Sequence, residues 1–311
     1  MTIGEIFETR AIDIRVTDTC NFNCSYCTEH DTIKKKYITY DEFVIILDKL
    51  EHLYNIEQKF QQVLLWGGEP TLNKDLQKML ELALTKPFIN RLAVHSNFSI
   101  KNDQLIDFLC NNNIVCYSSI HPQYFYNEHK NKIITSNFNK LFNASKLIEI
   151  NLMWRQLDEF ELIKKIKIEQ SHLPLNITPT TQLVMASENK VKLLLKSTGE
   201  YDIKNISTSL GNKSYIDIFK IDHRGFICNS PVDNFIINTD GEIFLCQSYF
   251  MVNVSSGYNI FTVEDYDIFF KKTKCIHKTC ICGHDIFKTR KELDTTEYEN
   301  SYNLFKKDTN G

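Results

Sequence analysis

Apolar and polar residues alternate along the first two-thirds of the chain in a pattern that predicts strands followed by helices. The run 11–17 is rich in β-branched residues and predicts a first strand, and the run 62–66 predicts a second, short and buried one. Between them, Thr39 and Glu42 have the spacing of a capping box at the start of a helix. Apolar residues then recur at helical spacing and predict the buried face of that helix: Phe43, Ile46, Leu47, Leu50 and Leu53.

The same strand-then-helix unit recurs until six units are complete. The later strands are predicted at 62–66, 91–95, 114–120, 149–154 and 175–180. The helices after them are predicted at 73–86, with Asn73 as the N-cap, and at 102–112, 138–148, 158–170 and 187–196. Strict alternation predicts parallel strands joined by right-handed crossovers. The fold class is therefore α/β, and six units predict a partial (β/α)₆ TIM-like barrel, with a flat doubly wound sheet as the alternative.

The pattern changes near residue 215. From there to about residue 250 the chain has no good helical periodicity, and Asp240-Gly241 is typical of a β-hairpin turn. Five of the ten cysteines lie beyond residue 215. We therefore expect two domains, a barrel over 1–215 and a smaller C-terminal β-hairpin domain over 216–311.

Composition narrows the range of functions. The 311 residues carry a formal net charge of −3 with both signs mixed, so nothing calls for a nucleic acid or a membrane surface as a partner. No apolar run is long enough to span a bilayer, and the first ten residues do not resemble a secretory signal. Ten cysteines in such a chain predict a cytoplasmic location, where patterned cysteines bind metal or do redox chemistry more often than they form disulfides.

Three cysteines follow directly on the first predicted strand. Cys20, Cys24 and Cys27 have the spacing C-x₃-C-x₂-C, one ligand short of a tetrahedral zinc site. Thiolates suit iron–sulfur clusters, zinc and copper(I), and three thiolates on a [4Fe–4S] cube would leave one iron open to a non-protein ligand. Zinc binding and ordinary structural cysteines remain the alternatives at this point.

The stretch 16–27, VTDTCNFNCSYC, resembles the signature of the radical S-adenosylmethionine (SAM) superfamily, including the aromatic Tyr26 before the third cysteine. The resemblance implies that Cys20, Cys24 and Cys27 bind a catalytic [4Fe–4S] cluster. It also implies that SAM chelates the open iron and that the chain is an enzyme.

The segment WGGEP, residues 66–70, resembles a second motif of that superfamily at the end of the second strand. Two glycines there let the backbone approach a ligand closely. The resemblance implies that Gly67, Gly68, Glu69 and Pro70 bind SAM, with Glu69 accepting hydrogen bonds from its amino group. An ordinary turn is the alternative.

Polar residues at the ends of later strands complete the predicted SAM site. Ser96 and Asn97 end the third strand, where the superfamily often has small polar residues near the ribose and carboxylate of SAM, although Phe98 replaces the usual glycine. A helix N-cap role for Asn97 or Ser99 is the alternative. Ser118 ends the fourth strand and Arg155 the fifth, and a guanidinium is well suited to clamp the SAM carboxylate.

The C-terminal cysteines resemble the auxiliary-cluster extensions of the superfamily, known as SPASM and twitch domains. The segment from Cys228 to Cys246 matches the first half of such a domain, because it has a predicted hairpin and Gly241 lies five residues before Cys246. A full SPASM pattern has seven cysteines, whereas this chain has five beyond residue 215. The resemblance implies one auxiliary [4Fe–4S] cluster held by four of five candidates, with a zinc knuckle as the alternative. The five are Cys228, Cys246, Cys275, Cys280 and Cys282.

The function that the resemblance implies is reductive cleavage of SAM to a 5′-deoxyadenosyl radical, which abstracts a hydrogen atom from a small-molecule or peptide substrate. The outcome would be an oxidation, an epimerisation or a cross-link, with a flavodoxin or ferredoxin as electron donor. A non-catalytic zinc- or iron–sulfur-binding protein, or an electron carrier, is the alternative function.

Overall fold

The computed structural model describes most of the N-terminal two-thirds of the chain and parts of the remainder. The described residues are 9–24, 27, 36–125, 127–155, 157–179, 205–208, 211–214, 227–228, 230, 232–246, 250, 254–271 and 273–274. The helix predicted at 187–196 lies outside them.

Six parallel strands form the main sheet, and they lie side by side in chain order. They are β1 (Thr9–Thr17), β2 (Phe60–Gly67), β3 (Ile89–Ser96), β4 (Ile114–Ile120), β5 (Leu147–Trp154) and β6 (Leu175–Pro179). Helical crossovers connect them, so the predicted parallel α/β fold with partial-barrel topology is confirmed. Successive βα units placed side by side bring the carboxyl ends of all six strands to one edge of the sheet.

The helices follow the strands in the predicted order, but the helix predicted over 138–148 is misplaced: α5 ends at Asn143, and Leu147 and Ile148 already belong to β5. They are α1 (Tyr40–Glu57), α2 (Leu76–Leu84), α3 (Asp103–Asn111), the short α4 (Pro122–Phe125), α5 (Glu128–Asn143) and α6 (Phe160–Glu169). Among the helices that the structure describes, none has the length and apolar composition that crossing a bilayer requires.

Burial alternates along the strands because each strand has one face under the helices. In β4, every second residue from Ile114 to Ile120 is buried, and the residues between them are partly exposed. The buried set shares one hydrophobic core with the apolar faces of the helices. The other face carries polar residues such as Arg91, His95 and Ser119, so the concave side of the sheet is polar and suited to a ligand.

Helix α1 confirms the capping box that the sequence predicts. The Thr39 hydroxyl accepts from the Glu42 backbone N–H, and the Glu42 carboxylate accepts from the Thr39 N–H. The five apolar residues predicted for the buried face, from Phe43 to Leu53, are all buried. The local pattern therefore fixes where this helix begins and which side of it packs on the sheet.

The predicted N-cap of α2 is wrong. The cap residue is Asp75, and the Asn73 side chain instead donates to the backbone oxygens of Val16 at 3.0 Å and Ile38 at 2.9 Å. Asn73 is buried and ties the end of β1 to the segment before α1. A tertiary contact therefore takes the side chain that local sequence assigns to the helix.

The predicted C-terminal hairpin is present and extends the main sheet. Its strands are β10 (Asn234–Ile237) and the antiparallel β11 (Ile243–Phe244), and the Gly241 N–H donates to the Asn238 oxygen in the turn between them. Strand β10 pairs in parallel with β1, which makes an eight-stranded sheet. The other described strands form two small sheets: β7 (Asn205–Thr208) with β8 (Gly211–Ser214), and β9 (Ile227–Cys228) with β12 (Thr273–Lys274). Residues 215–226 lie outside the described part, so the domain boundary near 215 stays a prediction.

A buried arginine joins the C-terminal segment to the start of the sheet. Arg10 is 1% exposed and donates to the backbone oxygens of Val232 at 2.8 Å and Phe269 at 3.0 Å. Its guanidinium also pairs with Glu57 at 2.7 Å. Burial lowers the pKa of Arg10, and the nearby Glu57 and Asp233 oppose that shift. One side chain thus connects α1, β1 and the chain beyond residue 230.

Candidate active site

A cavity of about 250 Å³ opens at the carboxyl ends of strands β1 to β4. Its walls contain all three cysteines of the C-x₃-C-x₂-C motif, three of the four residues of the segment 66–70 that were predicted to bind SAM, and two predicted residues at the end of β3. These are Cys20, Cys24, Cys27, Gly67, Gly68, Glu69, Ser96 and Asn97. Residues that lie far apart in sequence therefore share one site at the edge of the sheet where α/β barrels carry their chemistry.

The three cysteines lie along one wall of this cavity. Cys24 is buried, whereas Cys20 and Cys27 are exposed. The Phe22 N–H points at the Cys20 sulfur with an N to S distance of 3.3 Å, and the Cys27 N–H donates to the Cys24 oxygen at 2.9 Å. Within the described part of the chain, no three His, Cys, Asp or Glu side chains form a group that could hold a metal ion. A four-iron cube presents its irons at separate corners, so its ligands need not converge on one point as those of a zinc ion do.

Hydrogen bonds of asparagine side chains fix the loop that carries Cys20, Cys24 and Cys27, the cysteine loop, to the end of β3. The Asn97 side-chain amide donates to the Asn21 side-chain oxygen at 3.0 Å, and the Asn21 amide donates to the Ser99 hydroxyl at 2.7 Å. The Ser99 N–H donates back to the Asn97 side chain at 2.9 Å. The alternative role of Asn97 or Ser99 as a helix N-cap is excluded, because the N-cap of α3 is Asn102.

The two glycines allow the segment 66–70 to pack against the cysteine loop. A Cβ on Gly68 would lie 2.5 Å from the Thr19 oxygen, and one on Gly67, whose φ is +149°, would overlap the Thr17 oxygen. The Gly68 N–H donates to Thr17 at 2.9 Å and the Glu69 N–H donates to Thr19 at 2.8 Å. These two N–H groups therefore hold the loop after β1, and the close approach that the glycines permit is to that loop.

Glu69 is a buried carboxylate in the wall of the cavity. One oxygen accepts from the Ser96 hydroxyl at 2.5 Å, the Thr71 hydroxyl at 2.5 Å and the Thr71 N–H at 3.1 Å. The other accepts from the Asn97 N–H at 2.8 Å. Burial raises the pKa of Glu69, and the hydrogen bonds from Ser96, Thr71 and Asn97 oppose that shift. No cationic side chain of the described residues pairs with this carboxylate. Pro70, also buried, begins a 3₁₀ turn that carries the Thr71 donors.

Ser118 and Arg155 lie where their strands end, but neither lines the cavity. Ser118 is fully buried and its hydroxyl donates to the Ser96 oxygen at 2.6 Å. The Arg155 guanidinium pairs with Glu159 and donates to the Gln123 side chain at 2.7 Å. The predicted contacts of these two residues with SAM have no support from this geometry and stay predictions.

Several cavity residues were not among the predicted SAM and cluster residues. His95 and Ser119 form a hydrogen bond of 3.0 Å on the concave face, next to His121. Burial, together with the charge of His95, lowers the pKa of His121 to about 4, so this imidazole is neutral at physiological pH. The two-residue alternation of a strand shows which of two neighbours faces the cavity only once the buried face is known, so the sequence alone does not distinguish Ser118 from Ser119.

The hairpin of β10 and β11, which lies next to β1 in the sheet, also reaches this cavity. The Thr239 hydroxyl, in the hairpin turn, donates at 2.9 Å to Asp18, which lines the cavity. The ring of Phe250 packs edge-on against Trp66, with 5.4 Å between ring centroids. The Phe250 N–H donates to the Cys246 oxygen at 3.1 Å, and Cys246 is a buried thiol. The chain around Cys246 is therefore connected to the cavity wall through Phe250 and Trp66.

The structure describes only some of the other predicted site residues. Cys228 lies in β9, where its backbone pairs with Thr273, two residues before Cys275 in sequence. The remaining predicted residues lie outside the described part of the chain: Tyr26, Cys275, Cys280 and Cys282.

Comparison with known protein families identifies the unit that contains this cavity. Residues 14–151, which run from β1 to β5, match the family described as the radical SAM superfamily. Over these residues the chain resembles a radical SAM domain. Proteins of this superfamily use a [4Fe–4S] cluster and SAM, and the three cysteines, Glu69 and Asn97 of the cavity all lie within the matched range.

Curated relatives of the radical SAM domain match a short part of the chain. The GTP 3′,8-cyclase of Pasteurella multocida is 28% identical over 88 residues, which are 27% of this chain and 25% of that protein. The GTP 3′,8-cyclase of Synechococcus elongatus is 31% identical over 100 residues, 32% of this chain and 30% of that protein. The chain thus matches only a quarter to a third of the length of these relatives.

Solved structures match the fold over most of the chain. Native anSMEcpe with bound AdoMet and the Kp18Cys peptide has a TM-score of 0.63 at 16% identity, covering 90% of this chain and 83% of that one. SuiB of Streptococcus suis bound to S-adenosylmethionine has a TM-score of 0.56 at 13% identity, covering 84% of this chain and 65% of that one. At these identities the likeness establishes the fold alone.

Proposed function

We propose that this chain is a radical SAM enzyme in which Cys20, Cys24 and Cys27 hold a [4Fe–4S] cluster and Glu69 holds the amino group of SAM. The chemistry that these two groups supply when bound is reductive cleavage of SAM to a 5′-deoxyadenosyl radical, which takes a hydrogen atom from a substrate. The protein's contribution is to hold the loop, orient both groups and shield the cavity from water.

The buried carboxylate of Glu69 is the observation that carries this proposal. A charge removed from water is costly unless an opposite charge or enough hydrogen bonds compensate it. Glu69 receives neutral donors only, and the cavity that it lines is the one that contains the three cysteines. An ammonium group of a ligand in the cavity would supply the missing positive charge. Ser96, Asn97 and Thr71 hold the carboxylate in position for that contact.

The C-terminal cysteines support a second, auxiliary [4Fe–4S] cluster. Pairing of Cys228 with Thr273 brings the chain just before Cys275 close to Cys228, since consecutive Cα atoms are about 3.8 Å apart. Cys246 is a buried thiol just after β11, and Phe250, which bonds its backbone oxygen, packs against Trp66 of the cavity wall. We propose that the ligands are four of Cys228, Cys246, Cys275, Cys280 and Cys282.

Two observations support a peptide as substrate over a nucleoside triphosphate. The matched relatives are named for GTP, whereas anSMEcpe and SuiB were each solved with a peptide. A triphosphate needs lysines or arginines around it, and the cavity wall formed by the described residues contains neither. It offers His95, Ser119 and His121, which can hydrogen-bond an uncharged polar group. We propose a peptide substrate, with an uncharged small molecule as the second choice and a flavodoxin or ferredoxin as the electron donor.

The proposal is tested by anaerobic reconstitution with iron and sulfide, followed by reduction with dithionite in the presence of SAM. We expect 5′-deoxyadenosine to form, and to be lost when any one of Cys20, Cys24 or Cys27 is replaced by alanine. Glu69→Gln is expected to weaken SAM binding by about tenfold or more, because a charge-assisted hydrogen bond is lost. Glu81→Gln on the exposed side of α2 is the matched control. A colourless protein with stoichiometric zinc would contradict the proposal.

The auxiliary cluster and the substrate have separate readouts. About eight iron atoms per chain would support two [4Fe–4S] clusters, and about four would contradict the auxiliary cluster. Incubation of the reduced enzyme with SAM and GTP is expected to leave GTP unchanged. Consumption of GTP would overturn the choice of a peptide.

A further inference from the structure

An aromatic stack capped by a cation lies against the cysteine loop, and none of the predicted roles accounts for it. The rings of Phe22 and Tyr124 are parallel within 10°, with 4.1 Å between their centroids. The Lys130 ammonium lies 4.7 Å from the Phe22 centroid and 4.8 Å from the Tyr124 centroid. We call Phe22, Tyr124 and Lys130 the loop clamp.

The clamp contacts the main chain between two of the proposed cluster ligands. The Asn23 N–H donates to the Tyr124 hydroxyl at 2.6 Å, and Asn23 directly precedes Cys24. On the other side, the Phe22 N–H points at the Cys20 sulfur at 3.3 Å. Phe22 is also buried, so its ring cannot move without opening the cavity wall that it forms. The clamp therefore fixes the three residues between Cys20 and Cys24 to helices α4 and α5.

The position of Lys130 is not explained by the helix that carries it. Lys130 lies in the first turn of α5, where its N–H donates to the side chain of the N-cap Asn127. A positive charge in the first turn opposes the helix dipole. No carboxylate of the described residues pairs with it, and the nearest acidic helix residue, Glu128, pairs with Lys132 instead. Its partners are the two stacked rings, whose centroids lie 4.7 and 4.8 Å from the ammonium.

We propose that the loop clamp is a positioning device that holds the Cys20–Cys24 segment and raises the reduction potential of the cluster bound there. The inference rests on the proposed function for the cluster itself. The ammonium lies 4.7 Å from the centroid of the Phe22 ring, and the N–H of the same residue points at the Cys20 sulfur at 3.3 Å. A fixed positive charge next to the loop that holds the cluster favours the reduced cluster, which carries one more negative charge than the oxidised one.

The first experiment needs no cluster. Apo-protein is treated with iodoacetamide and the alkylation of each cysteine is followed by mass spectrometry. Tyr124→Phe keeps the stack but removes the bond to Asn23, and Lys130→Met keeps the length of the side chain but removes its charge. Both are expected to raise the alkylation rate of the buried Cys24 by about threefold or more, because the loop opens more often. The exposed Cys20 is the internal control, and Lys132→Met is the matched variant on the exposed side of α5.

The second experiment measures the reduction potential of the reconstituted protein by redox titration followed by electron paramagnetic resonance (EPR). At the wild-type midpoint, the ratio of reduced to oxidised cluster is expected to fall by about threefold or more in Lys130→Met. Lys130→Arg, which keeps the charge, should restore it. A purely structural role would change the iron content and leave the potential unchanged.

The outcomes separate the two proposals. Wild-type protein that binds no iron would overturn the proposed function, while the alkylation experiment would still decide whether the clamp holds the loop. An unchanged Cys24 rate in both variants, or an equal potential shift in Lys132→Met, would overturn the clamp. If far-ultraviolet circular dichroism shows that Lys130→Met is unfolded, Tyr124→Phe and Lys130→Arg are the variants that test the loop clamp.

Discussion

At the scale of single residues, the protonation of Glu69 depends on its burial. Burial raises its pKa, so the folded protein keeps the proton at pH values where the unfolded chain has released it. The folded apo-protein therefore binds more protons than the unfolded chain above the ordinary pKa of 4.5. The free energy of unfolding then falls as the pH rises from there through the raised pKa.

The substitution Glu69→Gln tests this assignment, because an amide does not titrate. We expect the wild-type melting temperature of the apo-protein to fall relative to that of Glu69→Gln as the pH rises from 4.5 to 8. Thermal melts at half-unit intervals of pH measure the difference. Parallel curves for the two proteins would show that Glu69 does not titrate as proposed.

Gly68 gives a steric test at the same scale. Its missing Cβ leaves room for the Thr19 oxygen, and that contact is with backbone, which cannot rotate away. Gly68→Ala is expected to cost about 1–3 kcal/mol of unfolding free energy. The control is Gly257→Ala, where the backbone φ is positive but no atom lies within 4 Å of a Cβ. Urea denaturation compares them, and a smaller loss for Gly68→Ala than for Gly257→Ala would contradict the close approach.

At the scale of elements, Asn73 and Asp75 separate a tertiary contact from a helix cap. Asn73→Ala removes the donor of the buried Ile38 oxygen, and we expect a loss of about 2 kcal/mol. Asp75 is the N-cap of α2 but makes no capping bond, so Asp75→Ala should cost about 0.5 kcal/mol or less. Chemical denaturation of both variants checks this, and the reverse order would restore Asn73 as the cap.

The elements show how far the sequence alone reaches. Helix α1 could be predicted in detail, because its cap and its buried face depend on residues within a few positions of each other. The hydrogen bonds of Asn73 could not be predicted, because only the fold brings its partners Val16 and Ile38 close to it. Cys20, Cys24, Cys27 and Glu69 are predicted from motifs, and all four line the cavity. The roles of Ser119, Trp66 and Phe250 depend on which face a strand presents and on which loop returns to it, and no local pattern encodes either.

At the scale of the whole molecule, Arg10 joins the C-terminal segment to the barrel. Arg10→Met leaves the partly buried Glu57 without its partner and removes two bonds to the chain beyond residue 230. We expect a loss of about 3 kcal/mol. Hydrogen exchange of the Ala11 N–H, which donates to the Asp233 oxygen, should quicken as β10 loosens from β1. The control is Lys59→Met, which removes a partly buried pair with Asp233 and a longer bond to the Val232 oxygen, and which should cost less than Arg10→Met, about 1 kcal/mol. Equal exchange rates in Arg10→Met and wild type would contradict this link.

The central claim is that SAM binds next to the cluster held by Cys20, Cys24 and Cys27. The measurement that tests it most directly is the EPR spectrum of the dithionite-reduced protein, recorded with and without SAM. We predict a [4Fe–4S] signal whose shape changes when SAM is added, and that this SAM-sensitive signal is missing in Cys24→Ala. A spectrum that SAM leaves unchanged, in protein that retains its iron, would contradict the account.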